Sequence, residues 1–525
     1  MENNFNEDDG IIKYTYKAEE NNICNECEDC KEDIQLKGYE RLSTFELLSL
    51  ATNAVETNDF NKAKKLWEIA VKYGSDHAEY CLGLCYLEGW TNEVNNDLAF
   101  EYFKKSAEKG NANAQYYLAY CYEFGFGTEI NHKLSFEWTQ KSAEHNCVNA
   151  QYRLAFYYRM NPHLPLAGNK ALFWFTKAVE QNFVSAMYQL GECYLYGIGE
   201  KNLAKAIEFF EKAAENGDYS AVFKLGECYE NGDGVDKNIE KAIELYQKSA
   251  DGGEAQAMYQ LGFYYDNGIN LPKDYEKAVE YYKQAAECEF PPAENMYGWC
   301  FVVGKVVKKD ICEAVKWFMR GAKHGDMRAQ YNLAICYEEG NGVLQDVEKA
   351  FYWHKKSAEQ GDDRAQLHLG WAYMVGNGVK INGVEAFKWL QLSANQGNAQ
   401  AYTDLGYCYA NAIGTKKDKA EALKWYLKSA EYNNTMAIYN VGCCYRHGTG
   451  IKKDTNKAVE WYIKGAELGS IDCMVSLAYM YEYGKGVKKD LGEAIKWYKL
   501  AVKNGDEFSQ SMLNSNKMKK FMKNK

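Results

Sequence analysis

No run of about 18 apolar residues occurs anywhere in the 525-residue chain, so no membrane span is expected. Basic residues are in the minority. Lys and Arg number 62 against 73 Asp and Glu, for a formal net charge of -11. A binder of nucleic-acid backbones should carry a basic face or stripe, so nucleic acid is disfavoured as a partner. Met1–Gly10 is acidic and polar and lacks the charged-then-apolar layout of a secretory leader, so a cytosolic, cytoplasmic location is expected. No segment has the G-x-x-x-x-G-K-[ST] layout of a phosphate loop, and the eight histidines do not group with a Ser or Cys at a catalytic spacing. Neither an enzyme nor a cofactor is expected.

Cysteine is plentiful, at 17 residues, but its placement argues against a disulfide scaffold. Cys85, Cys121, Cys193, Cys228, Cys300, Cys336, Cys408 and Cys444 occupy one position of a repeated unit. Equivalent positions in stacked helical units lie about 9 Å or more apart, beyond the roughly 7 Å between Cα atoms that a disulfide spans. They read as small buried hydrophobes in a reducing compartment.

The repeat is the dominant signal. An Ala-x-x-x-Leu-Gly-x-Cys-Tyr segment returns with its alanine at Ala78, Ala114, Ala150, Ala186, Ala221, Ala257, Ala293, Ala329, Ala365, Ala401 and Ala437, and Cys473 takes that place once more. Every interval is 36 residues except Ala186 to Ala221, which is 35. A fixed period of this length means stacked copies of one small unit. Each unit reads as two helices. The first places positions +0, +4, +7 and +8 on one face, with a small residue at +5 that lets another helix approach. A glycine turn follows, as in Gly448-Thr449-Gly450, then an Asp such as Asp454 that caps the second helix. The second helix reads Lys-Ala-x-x-Trp-Tyr. Eight tryptophans share its Trp slot (Trp138, Trp174, Trp317, Trp353, Trp389, Trp425, Trp461 and Trp497), and their burial is expected to knit adjacent units together.

These residues resemble the Sel1-like repeat, a relative of the tetratricopeptide repeat. The shared features are Ala-x-x-x-Leu-Gly-x-x-Tyr, the Gly340-Asn341-Gly342-Val343 turn, Lys-Asp, Lys-Ala-x-x-Trp-Tyr and Ala-Glu-x-Gly. The resemblance implies an all-α, right-handed superhelical solenoid. Residues 1–40 read as an acidic, disordered tail with 12 acidic and 4 basic side chains, 41–75 as a helical cap, 76–505 as twelve repeats, and 506–525 as a capping helix with a basic tail. Departures at Asn161-Pro162-His163-Leu164-Pro165, at Pro291-Pro292 and at Ala412 suggest local bends or altered loops.

Two features invite chemistry. Cys24, Cys27 and Cys30 have spacing suited to a metal, although their acidic neighbours disfavour thiolates, so they rank as weak candidates. Ser106-Ala-Glu-Lys109 matches S-x-x-K by letter, and a cysteine-rich secreted branch of the resembled family is linked to β-lactam hydrolysis. That Ser-Ala-Glu recurs in the second helices, so the match reads as chance.

The resemblance also implies that first helices line a concave groove, with positions +2 and +6 facing it. At +2 stand Tyr80, Tyr116, Tyr152, Tyr188, Phe223, Tyr259, Tyr331 and Tyr439; at +6 stand Tyr120, Phe156, Phe263, Trp299, Trp371, Tyr407 and Tyr479. Acidic residues at +9 or +10 accompany them: Glu123, Glu230, Asp266, Glu338, Glu339 and Glu482. The expectation is a scaffold or adaptor holding peptide segments of partner proteins. A host-directed bacterial effector or regulator using the same repeats is the alternative, and a hydrolase comes third.

Overall fold

A computed structural model describes residues 39–92 and 94–523. Cys24, Cys27, Cys30 and nearly all of the acidic tail lie outside the described residues. Within them the chain is helical, and each repeat is a helical hairpin.

Repeat eleven shows how local chemistry builds the hairpin. Asn434 caps the first helix, Thr435–His447, by accepting the N–H of Ala437. Gly448 ends that helix in the left-handed region at φ 73°. Asp454 then caps the second helix, Thr455–Glu467, by accepting the N–H of Lys457. An Asn or Asp cap of this kind opens the second helix in every repeat but the third. Such a cap is worth about 1 kcal/mol, so each hairpin is specified largely by itself.

The core runs as a seam between the two helices. The anchoring alanines and Cys473 are all 0% exposed. The position after the Trp slot is 0–5% exposed in all twelve repeats, and in most it holds Phe or Tyr. This ring lies on the +5 glycine: a Cβ built on Gly226 would fall 2.6 Å from Cε1 of Tyr246. The glycine is therefore the space the ring occupies. The tryptophans themselves are only half-buried, which corrects the expectation that their slot is the buried one. Trp461 packs on the rim of the buried cluster that joins repeats ten to twelve.

The described chain divides into two compact units between Asp218 and Tyr219, within the single 35-residue interval. The first holds repeats one to four. Before them stand Thr44–Glu56 and Phe60–Lys72, whose Leu47, Leu66 and Trp67 share a buried cluster with Ala78 and Leu82 of repeat one. The second holds repeats five to twelve, then Glu507–Leu513 and Asn516–Lys523, which bury Leu513 and Met518 against Ala478 and Tyr498 of repeat twelve.

The three departures have modest effects. In repeat three the second helix begins earlier, at Ala167, behind Leu166 at φ 56°, with no side-chain cap. Pro291 and Pro292 cause no bend: the first helix of repeat seven, Pro291–Val303, has the usual 13 residues, because its first turn needs no N–H donors. Ala412 takes the left-handed position that glycine fills elsewhere, at φ 59°.

Candidate partner-binding face

The +2 and +6 positions of the first helices part company in the structure. The +2 rings are half-buried or buried and lean on the seam. Ring centroids are 6.3 Å apart for Tyr80–Phe103, 5.8 Å for Tyr152–Phe175, 5.9 Å for Tyr188–Phe210, 5.3 Å for Phe223–Tyr246 and 5.9 Å for Tyr259–Tyr282. Tyr439 stands 6.1 Å from Tyr462, Tyr331 5.7 Å from His354, and Tyr116 5.4 Å from Tyr117. These rings form an apolar floor rather than free anchors.

Aromatic surface reaches solvent at +6, and at +10 as well, where Phe124, Tyr196 and Tyr483 are 47–59% exposed. In the second unit Phe263, Trp299, Trp371 and Tyr407 are 37–48% exposed. In the first unit Tyr120 is tilted against Phe124 at 4.6 Å and stacks with Phe126 at 5.7 Å, and Phe156 lies 6.4 Å from Tyr152. Tyr479 has Arg446 at 4.6 Å and Lys485 at 4.9 Å from its ring centre. In the second unit, then, four exposed rings share one register position.

The acidic side chains are largely engaged inside the chain, which weakens the acidic character expected of the face. Glu230 accepts the Tyr246 hydroxyl at 2.6 Å. Glu482 accepts Tyr498 at 3.2 Å and Lys517 at 2.7 Å. Glu123 lies 3.4 Å from His132 and 3.8 Å from Arg153.

Glu338 is held by two histidines that sequence reasoning missed. Its Oε2 is 3.2 Å from His354 Nε2 and 3.3 Å from His368 Nδ1. The two imidazoles stack at 4.7 Å with 12° between planes, and Tyr331 flanks both. Hydrogen bonds from both rings hold the Glu338 carboxyl far below the usual carboxylate range, while burial pushes the His354 imidazole down. His354 stands where other repeats place a seam ring, and His368 is at +3 of the next repeat. Aligning the twelve repeats by register would have revealed both as departures.

Asp404, also at +3, is a half-buried carboxyl with Gln400 Nε2 at 3.1 Å. Burial pushes its pKa up to about 6. Between its unfolded pKa near 3.8 and that value, the folded chain holds a proton the unfolded chain has released, so stability falls as pH rises through this window. Asp404→Asn should therefore add about 2 kcal/mol at pH 7 and nothing at pH 4, read from thermal melts at both pH values. An equal gain at both would show that charge burial is not the cause.

Ser106 is no nucleophile in this setting. It is 0% exposed and donates to the Asp76 carbonyl at 2.7 Å, while Lys109 pairs with Glu79 at 2.7 Å. Ser142, Ser249, Ser357 and Ser429 repeat that bond on their own repeats. The repeat-position cysteines are free thiols, and burial pushes Cys121, Cys228 and Cys408 up to about 12, which keeps them unreactive. Among the described residues no helix is long and apolar enough to cross a membrane.

Comparison with known proteins follows the same register. The Sel1 repeat family matches twelve consecutive segments from 76–111 to 471–506, interrupted only at residues 219 and 327. Among solved structures, a protective antigen present in uropathogenic Escherichia coli strains and displaying an SLR fold is 31% identical, with a TM-score of 0.59, covering 80% of this chain and 90% of its own. A Sel1 repeat protein from Oxalobacter formigenes is 29% identical, with a TM-score of 0.44, over 46% of this chain and 96% of its own. No curated relative matches.

Proposed function

Because this chain belongs to the Sel1 repeat family, we propose that it is an adaptor that holds a peptide segment of a partner protein along the first-helix faces of repeats six to ten. Sel1 repeat proteins are generally protein-interaction scaffolds. The observation that supports this placement is the exposure of Phe263, Trp299, Trp371 and Tyr407 at one register position. Large rings give contact area at small entropic cost, and shallow contacts on successive repeats add to one affinity. With most neighbouring carboxylates engaged internally, apolar side chains are the anchors the face selects, and basic residues contribute at the rim.

Peptides selected from a random display library against the whole chain test this reading. Trp299→Ala, Trp371→Ala and Tyr407→Ala combined should weaken their binding at least about 100-fold, since a central aromatic contact is worth about 2 kcal/mol or more. Circular dichroism should stay native. Tyr352→Ala with Leu392→Ala, on exposed second-helix positions, should leave affinity unchanged. Equal losses in the two variants would move the binding face elsewhere. The likeness to an Escherichia coli antigen supports a second reading, a host-directed bacterial effector or regulator with the same contact chemistry. Detection of the protein inside host cells during infection is its test.

A further inference from the structure

We propose that Glu338, His354 and His368 form a binding site for a divalent transition metal of the zinc class, with a remaining coordination position open to water or to a partner's side chain. The donor set is one carboxylate and two imidazoles, the ligand types that zinc, nickel and cobalt accept. The three donor atoms lie within 4.8 Å of one another. Two of the separations, 3.2 and 3.3 Å, match the edge of roughly 3.3 Å that a tetrahedron has when its ligands stand about 2.0–2.1 Å from the ion.

The surroundings suit an ion. His354 is 4% exposed and directs its Nε2 to within 3.2 Å of Glu338. Its Nδ1 is buried without a hydrogen-bond partner, so nothing there fixes the tautomer, and Nε2 can give up the proton it donates to Glu338 when an ion takes its place. Closing the third edge requires the His368 ring to turn out of its stack. His368 is the member able to do so, with a side chain 31% exposed at the solvent edge. Arg364, the nearby cation, is paired with Asp362 at 2.7 Å and lies over Tyr331, so its charge is compensated.

The three ligands come from three successive helices, Met327–Glu339, Val347–Glu359 and Asp363–Val375, across the junction of repeats eight and nine. Repeat eight alone has His in the seam slot, and repeat nine alone has His at +3. A bound ion would therefore tie this junction together. His368 precedes Trp371 by one helical turn, so the open position faces the side on which the partner is proposed to lie.

The test is a cobalt(II) titration of the EDTA-treated full chain, read by absorption, with zinc as competitor. The expected result is one equivalent bound, with d–d bands of a nitrogen and oxygen site, displaced by zinc. Affinity should fall at least tenfold in both His368→Gln and Glu338→Gln, which keep native circular dichroism because both side chains are partly exposed. Three outcomes would overturn the proposal: no bands at millimolar cobalt, bands unchanged by both substitutions, or thiolate charge-transfer bands, which would place the ion on cysteine.

Discussion

Gly450→Val should lower the stability of the junction between repeats ten and eleven by about 3–5 kcal/mol. Gly450 sits at φ 72°, a left-handed angle that a β-branched residue adopts only under strain. Packing adds to that cost. A Cβ there would lie 2.9 Å from the Ala420 amide nitrogen and overlap the Lys419 carbonyl, in the first turn of the preceding repeat's second helix. Those atoms are backbone, and Asp418 fixes them by accepting the Ala420 and Glu421 amides, so they cannot swing aside as a side chain would. The obstruction would therefore reach across the repeat boundary. Hydrogen exchange should speed up throughout Lys419–Glu431 and into repeat eleven. Gly469→Ala is the control: its φ is 91°, yet nothing lies within 4 Å of its Cβ position, so only the angular cost of about 1 kcal/mol applies. Similar losses in the two variants would mean that the turn glycines serve chain reversal alone and not repeat stacking.

Tyr246→Ala should destabilise repeats five and six by about 3–5 kcal/mol. The ring is 0% exposed, rests on Gly226, and contacts Phe223 at 5.3 Å and Tyr264 of the following repeat at 6.1 Å. Removing it opens a cavity against backbone that has no side chain with which to refill it, because position 226 is glycine. Tyr246→Phe keeps the ring and loses only the hydroxyl that Glu230 accepts, for about 1 kcal/mol. Thermal melts with site-resolved hydrogen exchange separate the two, since unfolding of a repeat array need not be all-or-none. If the two substitutions cost the same, the seam is held by its hydrogen bonds and the ring is dispensable.

Residues that act within one or two helical turns were legible before any coordinates. Asp454 caps as its spacing requires, and Gly448 stops its helix, because each contacts atoms only a few residues away. Adjacent aromatics were harder. Trp461 and Tyr462 are both large and apolar, and composition favours the tryptophan as the core residue. The seam takes Tyr462, because its direction on the helix meets Gly442 while Trp461 stays on the rim. The acidic positions misled in the opposite way. Glu230 and Glu482 look like ligands for a basic partner, yet tyrosine hydroxyls 16 residues further on engage them.

The sequence by itself determined the period, the hairpin and the Asp cap of its second helix, since all follow from spacing along one chain, while the family resemblance put the +2 and +6 rings forward together. Tertiary structure alone decided which of two neighbouring rings is buried, which carboxylates stay available, and that Glu338, His354 and His368 meet. Those outcomes depend on distances between helices, and such distances are set only when the seam closes and the repeats pack side against side.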